Sequence, residues 1–102
     1  MITCYLRYTI APSRLAEFEH YARLWMPLVE RFGGTHHGYF LPKESANDLA
    51  VAMFTFPSLA AYEDYRTTSE SDPECQAAFK YAEETGCIIR YDRQFLRPVF
   101  GT

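Results

Sequence analysis

Residues 35–42, Thr-His-His-Gly-Tyr-Phe-Leu-Pro, hold the groups of this chain best suited to chemistry near neutral pH. An imidazole titrates there and can take or give a proton on a bound substrate. His36 and His37 are adjacent, so in an extended strand they point to opposite faces. That geometry stops them chelating one metal within a single chain. Alternation places Thr35, His37, Tyr39 and Leu41 on one face and His36, Gly38 and Phe40 on the other. One of the two histidines is then the candidate acid or base facing an interior. The pattern leaves open which one. The plainer alternative is a histidine hydrogen-bonded at a sheet edge or a subunit interface.

Arginines are the second group of interest. Tyr5 and Arg7 share the more polar face of the first strand. Near the C-terminus, Arg90 and Asp92 share one strand face, and Tyr91 and Arg93 share the other. A guanidinium inside a fold can hold a carboxylate through two parallel hydrogen bonds. An ion pair with Asp92, or with an acid of a partner chain, is the competing expectation. The candidate ligand contacts are Tyr5, Arg7, Trp25, Tyr39 and Met53, although helical spacing makes Trp25, with Phe18, first of all a core residue. No nucleophile constellation, phosphate-cradling glycine loop or metal-ligand spacing occurs, so neither metal nor cofactor is expected.

The elements that must position these groups follow from periodicity. Ile2, Cys4, Leu6, Tyr8 and Ile10 alternate with Thr3, Tyr5, Arg7 and Thr9, which predicts a strand over 2–10. Pro12 stops it, and Ser13 is a candidate N-cap. Leu15, Phe18, Ala22, Trp25, Val29 and Phe32 recur every three or four residues and predict a helix over 14–32. Pro27 is expected to kink it, and Gly33 or Gly34 to end it. A strand over 35–42, a polar loop and a strand over 49–56 come next. The apolar run Leu49 to Phe56 suits a central strand. Ser58 opens a helix to about residue 68 with Leu59, Tyr62 and Tyr65 inward, and Asp72-Pro73 opens another that stops at Gly86. A last strand covers 87–97.

The resulting order, β-α-β-β-α-β, predicts an α+β, ferredoxin-like domain. It has a four-stranded antiparallel sheet with helices on one face. The other face is too apolar for water, and a second copy of the chain is its simplest cover. A homodimer packing sheet on sheet into a dimeric α+β barrel is therefore expected, with one domain over 1–102.

Composition bounds the function classes. A chain of 102 residues with 48% hydrophobic and 17% aromatic content folds around one core. A net charge of −3 without charge runs argues against nucleic acid. No apolar run is long enough to span a bilayer. No signal-peptide pattern opens the chain, and Cys4, Cys75 and Cys87 are odd in number and widely spaced. Reduced, buried thiols in a cytoplasmic protein are expected.

Over nearly its whole length the chain resembles the NIPSNAP family of dimeric α+β barrels. The resemblance rests on Tyr8-Thr9-Ile10, Pro12, Leu15 and Phe18, then Trp25, Pro27, Gly33-Gly34 and Gly38-Tyr39. It continues through Phe56, Ser58-Leu59-Ala60, Arg66 and Asp72-Pro73-Glu74. The chain departs from that pattern where Cys4-Tyr5-Leu6 stands in place of Glu-Leu-Arg. Ala52-Met53-Phe54 replaces histidine-leucine-tryptophan, so no role of a strand-three histidine carries over. Cys75 replaces a tryptophan. The resemblance implies the fold, the dimer and a cytoplasmic setting, and it implies no established reaction. Related barrels include cofactor-independent monooxygenases and isomerases.

The functional expectation is a small apolar or aromatic metabolite held between sheet and helices. Cofactor-independent oxygenation or isomerisation with His36 or His37 as base is the first alternative, and a non-catalytic interaction dimer the second.

Overall fold

Strand β1 (Ile2–Ile10) is followed by helix α1 (Leu15–Arg31), then by strands β2 (Thr35–Phe40) and β3 (Leu49–Phe56). Helices α2 (Leu59–Ser69) and α3 (Pro73–Thr85) lead into β4 (Ile88–Leu96). All strand pairs are antiparallel, in the order β2-β3-β1-β4. This is the ferredoxin-like arrangement, with the apolar β3 in a central position as its composition requires. The computed structural model describes residues 1–100.

Local chemistry sets the element ends. The Ser58 side chain accepts a hydrogen bond from Ala61 N at 3.1 Å, and Asp72 accepts one from Cys75 N at 3.0 Å, so both cap their helices. Ser13 does not cap α1. A 3-10 turn over Pro12–Arg14 carries the chain past that position, and Arg14 N donates to Ala11 O instead. Helix α1 continues through Pro27 as one element. At its end Gly33 takes φ +95°, and Gly34 lets the chain pass close under the core. A Cβ on Gly34 would lie 2.8 Å from Val29 Cγ1 and 2.9 Å from the Phe56 ring.

The helices cover the face of the sheet that carries Cys4, Leu6, Tyr8 and Ile10 from β1 and Ala50, Ala52, Phe54 and Phe56 from β3, all buried. Phe18, Tyr21, Ala22, Trp25, Leu28 and Val29 are the buried stripe of α1. Leu15 and Leu59, expected inward, remain exposed at the first turns of their helices. Tyr62 and Tyr65 of α2 do reach the core. Helix α3 packs chiefly against α1. That leaves a gap over β4, where burial is least complete.

Period-two alternation fails at one place in β2. His36 pairs with Phe54 and Gly38 with Met53, so His37 is an extra residue, bulged out of register. Gly38 takes φ +111° there, and its N–H donates to His36 Nδ1 at 2.9 Å. The bulge returns Tyr39 to the same face as His36. The two rings stack at 5.0 Å and 12°. The expected split of His36 from Tyr39 is therefore corrected, while His36 and His37 do face opposite sides.

Candidate functional site

Between the helix-covered face of the sheet and the three helices lies a cavity of about 270 Å³. Its floor is Leu6 and Tyr8 of β1, Tyr39 of β2, Phe54 of β3, and Tyr91 and Arg93 of β4. Tyr21, Trp25 and Val29 of α1 form one wall. Tyr65 and Arg66 of α2 and Phe79 and Ala82 of α3 form the other. Phe79, Glu83 and Tyr91 line it and stay exposed, which marks the mouth.

Aromatic rings fix each other's positions here. Tyr8 stacks on Tyr39 at 6.2 Å and tilts against Tyr91 at 5.9 Å. Trp25 meets Tyr21 edge-on at 6.2 Å and Phe79 at 4.9 Å. Rings in such offset and edge contacts are held rigidly, and their faces offer flat apolar surface.

The polar groups of the cavity are mostly uncharged tyrosine and tryptophan side chains. Burial pushes the Tyr8 and Tyr39 hydroxyls well above the ordinary tyrosine value, and pushes Tyr21 up to about 12. All three are neutral phenols at physiological pH. Burial also raises the Cys4 thiol and moves Cys75 to about 12, so neither thiol is an activated nucleophile. Arg93 is the charged group of the floor. Burial opposes its charge, yet Tyr62, Cys4, Tyr91 and Tyr8 around it hold its pKa above the ordinary arginine value. Its guanidinium lies 5.5 Å from the Tyr91 ring centroid. Among the described residues it makes no ion pair, and its Nε is buried without a hydrogen-bond partner. Trp25 Nε1 is in the same condition: it lies close enough to influence the Tyr21 hydroxyl but makes no hydrogen bond of normal geometry.

The two histidines stand outside the cavity lining. His36 is on the helix side beneath Tyr39, and burial lowers its pKa to about 4. It is a neutral ring at physiological pH. Since Nδ1 accepts from Gly38 N, Nε2 carries the proton, and that Nε2 is buried without a partner. His37 lies on the opposite face, with Nε2 2.7 Å from Thr55 Oγ1, which is itself 2.7 Å from Thr3 Oγ1.

Of the candidate ligand contacts, Trp25 and Tyr39 line the cavity together. Tyr5, Arg7 and Met53 do not meet them. Tyr5 pairs with Met53 across β1 and β3, and both occupy the uncovered face. Arg7 lies on that face too, bonded to Asp92 Oδ2 at 3.0 Å as the ion-pair expectation had it. Period two separates these three from the cavity by the thickness of the sheet. Tyr8, Tyr91 and Arg93 line the cavity without having been among the candidate ligand contacts, although Tyr91 and Arg93 were placed together on one face of the last strand. Their signal was present in the alternation of β1 and β4, once the helix-covered face is known.

Among the described residues, no three His, Cys, Asp or Glu side chains cluster as metal ligands do. No helix is long and apolar enough to cross a membrane.

The geometry can be set beside known proteins. The NIPSNAP family model matches residues 5–100. A protein of Agrobacterium tumefaciens superposes with a TM-score of 0.83 at 15% identity, covering 97% of this chain and 94% of that one. A NIPSNAP family protein of the same organism gives 0.80 at 19%, covering 96% and 92%. A putative antibiotic biosynthesis monooxygenase of Nitrosomonas europaea gives 0.76 at 5%, covering 98% and 100%. At these identities the likenesses show the fold. No curated protein matches the chain. With its fold shared and the family match spanning nearly its whole length, the chain belongs to the NIPSNAP family.

Proposed function

We propose that this protein binds a small aromatic or apolar metabolite in the cavity between sheet and helices, as a homodimer joined through the uncovered sheet faces. One observation carries the ligand reading: an aromatic-lined space of about 270 Å³ that the chain's own side chains leave unfilled. Protein interiors are otherwise close-packed, so such a space is uncommon without a use. A dry cavity of roughly 150 Å³ is enough for benzene, which leaves room here for a bicyclic ring system.

Binding without turnover is the better-supported form. Turnover by proton abstraction needs a base at the ligand, and neither His36 nor His37 lines the space. The fold likeness to a putative monooxygenase, at 5% identity, carries no residue across. Support for the dimer comes from the uncovered face. There Phe40 pairs with Val51, and Met53 lies between Tyr5 and Gly38. Phe40 and Leu49 are large apolar groups left exposed on it.

Calorimetry with 2-naphthol tests the reading. The wild-type chain is expected to bind it saturably, one per subunit. Ala82→Phe, which places a ring in the cavity, is expected to abolish binding while the protein still melts cooperatively. Absence of saturable binding to the wild-type chain would sink the proposal.

A further inference from the structure

We infer that the ligand of this cavity is an aromatic carboxylate, its ring among Tyr8, Trp25 and Tyr39 and its carboxylate on Arg93. The inference rests on the cavity being a ligand site and adds the ligand's charge and orientation.

Three observations converge. First, the unmatched buried polar atoms of the lining are donors: Arg93 Nε and Trp25 Nε1. Neither group has any acceptor capacity. A buried donor without a partner is costly, and the molecule that relieves both must bring acceptors. Second, the charge on Arg93 has no carboxylate beside it. The groups around it are Tyr62, Cys4, Tyr91 and Tyr8, none of them a carboxylate. Elsewhere the chain does set acids beside arginines, Asp92 beside Arg7 and Asp72 and Glu74 beside Arg31, but it supplies none to Arg93. Third, the remaining charged groups of the lining are Arg66, half-buried, and Glu83, exposed at the mouth. Glu83 makes no ion pair among the described residues. The deeper charge of the site is thus positive and uncompensated, on a planar fork suited to a planar carboxylate.

The orientation follows from the placement. Arg93 is on β4 beside the mouth residue Tyr91, and faces Leu6 across the β1–β4 ladder. Trp25 hangs from the opposite wall. A bicyclic acid laid along the aromatic floor puts its carboxylate at Arg93 and its ring under the indole.

Calorimetry with 2-naphthoate and its neutral isostere 2-naphthamide, at pH 7, tests this. The wild-type chain is expected to prefer the carboxylate by roughly tenfold or more, the usual scale for charge-assisted hydrogen bonds. Arg93→Gln is expected to erase the preference while the amide still binds. Arg93→Lys keeps the charge but loses the fork, and should keep part of the preference. Arg66→Gln should leave it intact. Equal affinity for the two probes in the wild-type chain overturns the charge assignment and leaves the cavity reading standing. A preference that survives Arg93→Gln overturns the role of Arg93. Binding of neither probe overturns both. If Arg93→Gln does not melt cooperatively, the wild-type comparison and Arg93→Met decide the question by the same criteria.

Discussion

Gly34→Ala is a small change with a calculable cost. Gly34 joins α1 to β2 directly beneath the core. An added Cβ would lie 2.8 Å from Val29 Cγ1 and 2.9 Å from Phe56 Cε2 and Cζ. Ordinary carbon contacts begin several tenths of an ångström further out, so the neighbours must move. Val29 and Phe56 are each only 1% exposed, so both are held in the core, and Val29 can yield only toward the cavity it borders. Overpacking of this kind costs roughly 1–3 kcal/mol. Restricting the unfolded chain offsets roughly 0.4–1 kcal/mol of that. The net loss is therefore about 1–2 kcal/mol, or roughly 5–15 °C of melting temperature for a domain of this size. Thermal melts by circular dichroism measure it. Val29 also lines the cavity, so the displaced side chain should weaken 2-naphthol binding in parallel. The mechanism is checked by a double-mutant cycle: in a Val29→Ala background the Gly34→Ala penalty should shrink. Gly38→Ala is the control. Its φ of +111° imposes backbone strain with nothing within 4 Å of the new Cβ, so Val29→Ala should not relieve it. A Gly34→Ala protein that melts at the wild-type temperature, or penalties that simply add, would refute the reasoning.

Two further expectations follow from the same geometry. Burial holds His36 at about 4 against its usual 6.5. Between these values the unfolded chain takes up a proton that the fold refuses, so stability falls as pH drops from about 6.5 to 4. The loss is roughly 1–2 kcal/mol once partial exposure of the ring is allowed for. His36→Phe should flatten that part of the pH profile in urea titrations; an unchanged slope would show that His36 is not its source. On the uncovered face, Met53→Glu places a charge between Tyr5 and Gly38. Light scattering should then give twice the monomer mass for the wild-type chain and the monomer mass for the variant. A wild-type monomer at micromolar concentration would contradict the sheet-to-sheet dimer.

Most of the architecture was legible because its causes are local. Ser58, Asp72-Pro73 and Gly86 mark element ends through their own side chains or φ preference, and β1 carries its two faces in strict alternation. The site was legible only in part. Trp25 and Tyr39 were candidate ligand contacts, and both line the cavity. Arg93 and Tyr91 were recognised as sharing a face, but alternation alone does not say which face the helices cover. It also does not show that α3 stands over α1 and leaves β4 partly bare. Tyr5, Arg7 and Met53 were drawn toward the site by residue type, and period two puts them on the far side of the sheet. The bulge at His37 depends on pairing with β3 and on the φ of Gly38, a tertiary outcome with no signature in the His-His-Gly-Tyr run beyond the glycine itself.

The central claim is that ligand enters between sheet and helices, against the aromatic floor. Trp25 is the chain's single tryptophan, so its indole N–H gives one resolved cross-peak in a nitrogen–proton correlation spectrum. Titration with 2-naphthol and 2-naphthoate should move that peak saturably, together with the amides of Tyr8, Tyr39 and Arg93, while those of Thr55 and Val51 on the far face of the sheet stay still. A stationary indole peak, or shifts confined to the uncovered face, would contradict the claim.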